Sequence, residues 1–507
     1  MISIPFIVAN SLWLLANLPQ AFAFRRALGD AAKTQERVLL EILQRHRHSD
    51  FGRRHRFAEI QSIADFQQRV PLATWEDFAT DITRIAAGEK QVLTGDPVTL
   101  LEPTSGSTAA SKLIPFTGRL REEFQRAIAP WLVCLFLARP NLFGGPAYWS
   151  LTPVSREDER SPGGIPIGFE EDIEYFGRWQ RRLVDKLMAV PSLVRRIPDM
   201  ESFFYVTLLF LLRRRALRLI SVWNPTFLTL LLERLPEWAE RLAGDIADGR
   251  ISTPKPLPEP LATALRALNR PDRKRAQQIR QALQPGGTTG DLHTRLWPKL
   301  RLISCWTDAG AARFIPDLQR LFPRAEIQGK GLIATEGIVS FPLDLQGAAA
   351  LALRSHFFEF IHQDSGDLHL AHELEKGDRY SVVLTTGGGL YRYRLHDLVE
   401  ITGHRRACPI LKFIGKEAHI SDRFGEKLNE RHVREALDRC AERENTDPAF
   451  AMLACEERDG RFAYTLFIEG RDLTDNTLLR IGRSLEEDLL ENYHYRYCRD
   501  LGQLDPI

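Results

Sequence analysis

Cysteine is scarce and scattered. Six thiols in 507 residues (Cys134, Cys305, Cys408, Cys440, Cys455, Cys498) include no C-x-x-C pair. A disulfide framework or a thiolate zinc site is therefore not expected, and a reducing, cytoplasmic compartment is. An excess of either charge is also missing: 68 Lys+Arg against 66 Asp+Glu leave a net +2, which argues against a dedicated nucleic-acid binder. No G-x-S-x-G nucleophile elbow occurs, and His372-Glu373 is followed by Lys376 where a zincin needs histidine. Nor is there a repeat of solenoid period. Long apolar runs are few. Residues 3–24 carry no charge until Arg25 and Arg26, but Asn10, Asn17, Pro19 and Gln20 interrupt them and no basic residue precedes them. The expectation is a buried or surface-docked first helix, with membrane contact the less favoured alternative. The ten-residue run Phe203 to Leu212 reads as a core helix.

What is present suits a soluble, cored protein: 44% hydrophobic and 26% charged residues, with room for one large domain and a smaller one. The first part reads as helical. Val38, Leu39, Ile42 and Leu43 recur at helical spacing, and Thr74-Trp75-Glu76-Asp77 starts a helix with a capping acid. The basic stretch from Arg45 to Arg56 is read as a solvated helix end and loop. Four prolines in residues 251–260 mark a surface connection. After about residue 298, strands alternate with helices: Leu300 to Trp306, then Phe314 to Phe322, then Glu326 to Gly329. That pattern implies an α/β sheet whose strand ends can hold a ligand. The last ninety or so residues read as αββα, a helix around Val433 to Cys440, a hairpin turning at Asp459-Gly460, and a helix from Leu478 to Leu489.

Three stretches could carry chemistry. Thr104-Ser105-Gly106-Ser107-Thr108-Ala109-Ala110-Ser111-Lys112 follows a strand, Val98 to Glu102. Its small and hydroxyl residues let backbone N–H groups approach phosphate oxygens, with Lys112 as counter-charge. It misses two of the four fixed Walker A positions, which rejects a P-loop NTPase. In Gly329-Lys330-Gly331-Leu332-Ile333-Ala334-Thr335-Glu336-Gly337, a hydroxyl beside a carboxylate suits a hard cation on a nucleotide. In Gly387-Gly388-Gly389-Leu390-Tyr391-Arg392-Tyr393-Arg394-Leu395-His396-Asp397, alternation places Arg392 and Arg394 on one face and Asp397 on the other. Asp397 can accept from ribose hydroxyls and an arginine can face phosphate. The bland alternative for this third stretch is a surface strand with a salt-bridging arginine face.

In order along the chain these motifs resemble the auxin-responsive acyl-acid amido synthetase family of the acyl-adenylate-forming superfamily. The resemblance begins at Val70-Pro71 and Trp75-Glu76-Asp77. It continues through Leu296-Trp297-Pro298, Trp306-Thr307-Asp308-Ala309-Gly310, Ala334-Thr335-Glu336 and Gly389 to Arg394, and reaches Leu428-Asn429-Glu430. It implies a mixed α/β fold with α+β subdomains: a large N-terminal ATP- and acyl-acid-binding domain, 1–414, and a small mobile C-terminal domain, 415–507, with a hinge near Gly415-Lys416-Glu417.

It also implies a two-step reaction. A small carboxylic acid attacks ATP to give acyl-AMP and pyrophosphate, and an amino-acid amine then displaces AMP. Thr104, Ser105, Gly106, Ser107, Thr108 and Lys112 would hold phosphates, Thr335 and Glu336 the adenylate and Mg2+, Asp308, Ala309, Gly310 and Ala311 the adenine, and Asp397 the ribose, with Arg394 nearby. Lys427 would be carried towards the phosphates by the small domain. A monomer without nucleic acid is expected. Other outcomes are a ligase with a thiol acceptor such as coenzyme A, and a catalytically silent nucleotide- or acid-binding homologue. The sequence departs from the family in Leu332 and Ile333 where an aromatic often stands, and in His396 where a glycine precedes the aspartate. The family also extends beyond the equivalent of Gly502 to Asp505 by at least one strand, so an open sheet edge and a less secure second half-reaction are expected. The helix from Arg119 to Ala138, through Phe124, Ile128 and Trp131, is expected to line the acyl pocket.

Overall fold

The computed structural model describes residues 4–103, 112–150, 159–168, 187–284, 289–343, 349–417, 420–421, 426, 428–458, 461–471 and 473–507. Two compact units divide the chain, Met1–Gly415 and Lys416–Ile507.

The first unit opens with helices whose ends are written in the sequence. Helix α1 (Ile4–Ala27) lays one face on the protein, and α2 (Ala31–His46) starts at Asp30, whose carboxylate accepts from the Lys33 N–H. The short α3 (Asp50–Arg54) and α4 (Ile63–Arg69) lead to α5 (Trp75–Ala86). There Thr74 and Asp77 form the reciprocal capping box that the sequence suggested. Strands β1 (Val98–Pro103) and β2 (Leu113–Thr117) pair antiparallel, and the long α6 (Gly118–Ala138) follows with its start capped by the Thr117 hydroxyl.

Next comes a parallel sheet in simple sequence order: β3 (Ala147–Trp149), β4 (Leu219–Ser221), β5 (Leu302–Cys305) and β6 (Glu326–Gly329). Trp149, Ser221, Ser304 and Gln328 stand in register, so these strands end side by side. Between β3 and β4 lies the buried helix α7 (Met200–Arg213), which contains the Phe203 to Leu212 run. Helices α8 (Pro225–Glu233) to α12 (Thr289–Leu296) fill the connection from β4 to β5, crossing the proline-rich segment. Helix α13 (Ile315–Leu321) joins β5 to β6. An apolar cluster including Tyr148, Phe203, Leu208, Ile220, Trp238, Leu265 and Ile303 packs these helices to the sheet.

A seven-stranded sheet completes the unit. Its strands are β7 (Ser340–Pro342), β8 (Ala349–Leu351), β9 (Phe357–His362), β10 (Leu368–Leu370), β11 (Arg379–Thr385), β12 (Tyr393–Arg405) and β13 (Cys408–Lys416), in the order β10-β9-β11-β12-β13-β8-β7. Here the structure corrects the sequence reading. Arg392 precedes the strand with φ 47°, and its guanidinium is buried against Glu359, so the stretch is not a surface strand with an arginine face. The three glycines serve close approach. A Cβ on Gly387 would lie 2.5 Å from the Glu123 carboxylate, and one on Gly388 2.8 Å from Leu120.

In the second unit, strand β14 (Ile420–Ser421) pairs with β15 (Leu428–Asn429). Helix α14 (Glu430–Arg443), the hairpin β16 (Pro448–Arg458) and β17 (Arg461–Gly470), and α15 (Asp475–Leu489) follow the expected αββα order. The Asp459-Gly460 turn lies outside the described residues. A further helix, α16 (Tyr493–Asp500), was not expected. Beyond it the Asp505 N–H donates to the Phe462 carbonyl at 2.7 Å, laying the tail along β17. Leu428, Ala436, Tyr464, Ile481, Leu485 and Tyr495 share this unit's core.

Candidate active site

The parallel sheet delivers its strand ends to one place, as open α/β sheets do for their ligands. At the ends of β3, β4, β5 and β6 stand Trp149, Ser221, Cys305 and Gly329, and the next residue is Lys330. Lys330 is 4% exposed. Its Nζ donates to the Ser221 hydroxyl at 2.6 Å and lies 5.2 Å from the Trp131 ring, 5.3 Å from Trp223 and 6.0 Å from Trp149. No carboxylate faces it among the described residues. Burial pulls its pKa down to about 7, with only the Cys305 thiol acting the other way. Among the described residues this ammonium is held by aromatic faces and one hydroxyl, without the counter-anion that a buried cation ordinarily has.

Beyond β5 the chain turns through Trp306 and Thr307 to Asp308, which begins a short 3-10 turn, Ala309–Phe314. Ala309 takes φ 49°, and the Trp306 ring lies 5.8 Å from that of Trp223. Burial raises the Asp308 pKa, while the Lys412 charge and the Phe413 N–H on β13 partly hold it down. Asp308 therefore sits between the end of β5 and β13.

Beyond β6, Ala334 and Gly337 exchange backbone hydrogen bonds at 3.0 and 3.3 Å, and Ile333 bridges Ile338. Thr335 and Glu336 occupy the tip of this tight turn. A buried network fixes its base. Ile338 N–H donates to His356 Nε2 at 3.2 Å, so Nδ1 carries the proton it gives Glu123, 3.0 Å away. The same Glu123 oxygen accepts from the Gly387 N–H at 2.9 Å. One carboxylate on α6 thereby ties the Thr335–Glu336 turn to the glycine loop before β12.

That loop leads to Tyr393, whose hydroxyl lies 3.4 Å from Glu336 Oε1. Burial first, and then Glu336, Glu76 and Asp397, push the Tyr393 phenol well above its usual range. Of these three carboxylates Glu336 is the one in contact with the hydroxyl, while Glu76 on α5 and Asp397 on β12 act on it through their charge. Glu76 in turn holds Lys112 at 3.0 Å and is drawn down to about 2 chiefly by that ammonium, which also lies 5.6 Å from the Trp75 ring. Asp397 is buried on β12 two residues before Val399, and Arg394 is half-buried on the same strand.

The structure thus joins Tyr393 to Glu336 and Lys112 to Glu76, sets Thr335 next to Glu336 in the turn, carries Arg394 and Asp397 on the same strand as Tyr393, and places Asp308 to Ala311 just beyond β5. Residues 104–111, including Thr104, Ser105, Gly106, Ser107 and Thr108, and also Lys427, lie outside the described residues. Tyr393 and the Lys330–Ser221–tryptophan cluster were missed by the sequence reading. The available signal was a lone lysine between glycines at the end of an apolar strand. For Mg2+, Thr335 and Glu336 supply hard oxygens, but among the described residues no three His, Cys, Asp or Glu side chains gather closely enough to cage an ion. Such a donor set fits an ion carried largely by nucleotide phosphates.

Residues 21–327 match the model of the GH3 family N-terminal domain, and 349–416 that of the GH3 family central domain. Two curated relatives are named as indole-3-acetic acid-amido synthetases. GH3.3 of Arabidopsis thaliana is 24% identical over 80% of this chain and 70% of its own. GH3.8 of Oryza sativa subsp. indica is 26% identical over 93% and 82%. Among solved structures, GH3.15 acyl acid amido synthetase superposes with a TM-score of 0.78 at 20% identity, covering 95% of this chain and 86% of that one. With a matched N-terminal domain spanning well over half its length, the chain belongs to the GH3 family.

Proposed function

We propose that this protein is an ATP-dependent acyl-acid amido synthetase, joining a carboxylic acid to an amino acid through an acyl-adenylate. The observation that carries this reading is the contact of Tyr393 with the Thr335–Glu336 turn, with Asp397 on the same strand as Tyr393, in a GH3-family chain. Negative charge that develops on phosphate during adenylation needs preorganised cations and hard-ion ligands. Lys112, steered by Glu76, and the Mg2+ ligands Thr335 and Glu336 supply them. Asp397 takes the ribose hydroxyls, Arg394 a phosphate, and Asp308 to Ala311 the base.

Lys330 supports a finer assignment. A carboxylate arriving at the parallel-sheet end would give this ammonium its missing counter-charge, and the three tryptophans would cover a flat, apolar body. An aromatic or similarly planar acid suits that chamber best. The test is incubation with ATP, Mg2+ and a panel of arylalkanoic and aliphatic acids. Acid-dependent pyrophosphate release, followed by an amide product in mass spectra when amino acids are added, is expected. Release without amide but with thioester on adding coenzyme A would assign a thiol acceptor. No acid-dependent release across the panel would sink the proposal.

A further inference from the structure

Helix α1 has two apolar faces and only one is covered. Ala9, Trp13, Phe24 and Ala27 are buried, as are Asn10, which donates to the Phe143 carbonyl at 3.0 Å, and Asn17. On the other side Ile4, Val8, Leu12, Leu15, Pro19 and Phe22 follow one another at spacings of four, four, three, four and three, which is a single stripe. All six are exposed, Ile4 by 73%, Leu15 by 58% and Phe22 by 57%. The row runs about 27 Å at 1.5 Å per residue. No aspartate or glutamate occurs in the helix. Among the described residues this is also the one helix long and apolar enough to cross a membrane.

The next position in the stripe is Arg26. It lines a cavity of about 430 Å³ with Arg37, Arg126, Arg354 and Glu41. Four guanidiniums line it with one carboxylate, Glu41, which lies 3.6 Å from Arg126 and 3.2 Å from Arg119. Arg354 donates to the Gln20 amide oxygen at 2.8 Å, whereas the Arg26 and Arg37 side chains have no partner among the described residues. Burial first, and then neighbouring arginines, lower the pKa of Arg126 and Arg354, while Glu123, Glu41 and Glu122 act the other way on Arg126 and Glu41 does so on Arg354.

We propose that the stripe and the four-arginine cavity form one peripheral site for an anionic phospholipid surface, with acyl chains against Ile4 to Phe22 and a headgroup phosphate at the arginines. An interfacial helix needs an apolar face and a cationic flank, and α1 with its cavity has both. A spanning role would require stripping Trp13, Asn10 and Asn17 from their contacts. A second copy of the chain fits less well, because an antiparallel partner offers no acid to Arg26 and a parallel one sets arginine beside arginine.

Flotation of the full chain with vesicles tests this. Phosphatidylcholine containing an admixed anionic phospholipid should capture the protein at least about tenfold better than phosphatidylcholine alone, and added salt should weaken capture. Leu12→Glu with Leu15→Glu should abolish capture. Arg26→Gln with Arg37→Gln should weaken it about twentyfold or more, roughly fivefold per arginine. Both variants should unfold thermally as the wild type does, which separates lost docking from lost fold and does not depend on the catalytic reading. Capture that is indifferent to lipid charge would overturn the proposal. So would a dimer in sedimentation that Leu12→Glu dissolves without vesicle binding. Inorganic phosphate that stabilises the protein while vesicles fail to bind would instead mark a free-anion site, and the lipid assignment would fall.

Discussion

Arg392 and Lys330 are both buried cations of the large unit, 5% and 4% exposed, yet their surroundings differ in kind. Arg392 places Nε and Nη2 on the two Glu359 oxygens at 2.9 and 3.0 Å, and its Nη1 donates to the Gln67 and Val70 carbonyls. Every charge there is answered from within the chain, and the pair fastens the start of β12 to β9 and to the end of α4. Among the described residues Lys330 has one hydroxyl and three rings. The difference separates cations that hold the fold from one that awaits a partner: desolvation of a charge is tolerated structurally when the geometry supplies the opposite charge, and is otherwise a cost that function must explain.

The largest effect should come from breaking the answered pair. Arg392→Met leaves Glu359 buried without its partner and should destabilise the large unit by about 3–5 kcal/mol, read as a lowered urea midpoint. Adding Glu359→Leu should recover most of that loss. If the single variant is as stable as the wild type, the pairing has no structural role. Lys330→Met should do the reverse to stability. The folded-state pKa of about 7 lies below the unfolded value, so the unfolded chain binds more protons between pH 7 and 10.5. The resulting deficit is complete at and below pH 7 and fades as pH rises towards 10.5. Methionine removes it, so the thermal midpoint should rise at neutral pH. Acid-dependent pyrophosphate release should meanwhile fall by about 10²–10³-fold, the scale of removing one preorganised electrostatic contact. A variant that is both stable and fully active would make Lys330 a packing residue.

How far these roles were legible depends on how local their causes are. The Thr74 capping box, the strands around Ile303 and Ile327 and the amphipathic α15 follow from neighbours in sequence, and were read correctly. Lys330 was not, because Trp131, Trp149, Ser221, Trp223 and Cys305 reach it from strand ends and a helix separated by up to about two hundred residues. Only the parallel register aligns them. Gly387 to Gly389 suggested nothing specific for the same reason: what requires the absence of a side chain there is Glu123 and Leu120 on α6. Helix α16 escaped notice because YHYRYCRD has no aliphatic periodicity, although Tyr495 and Cys498 bury one face.

His46 shows a third way to bury a titratable group, by removing its charge. It is fully buried, its Nδ1 accepts from the Gly95 N–H at 2.9 Å, and burial lowers its pKa to about 4. Since that lies below the unfolded value near 6.5, the unfolded chain takes up the extra proton between pH 6.5 and 4. Stability from this group is therefore intact above pH 6.5 and is lost as pH falls to 4, by on the order of 3 kcal/mol. His46→Asn, which keeps an acceptor and cannot titrate, should flatten the midpoint against pH across that window. An unchanged slope would show that His46 is not the acid-sensitive group.

The smallest effect concerns backbone rather than charge, and it bears on the nucleotide side of the site. Ser381 pairs with Leu398 and Val383 with Arg394, so Leu395, His396 and Asp397 together oppose Val382 in a bulge. His396 takes φ 59° there, the left-handed region that glycine enters without strain. A non-glycine residue held in it costs on the order of 1–3 kcal/mol, partly offset by the entropy that glycine would lose on folding. His396→Gly should therefore stabilise the large unit by about 0.5–1 kcal/mol, whereas His396→Val, branched at Cβ, should lose about 2 kcal/mol. The bulge sets the direction of Asp397, and glycine preserves it, so kcat should change by less than about twofold. If KM for ATP falls while stability rises as stated, the imidazole also crowds the ribose. If stability falls, the bulge depends on the histidine side chain, and the strain account is wrong.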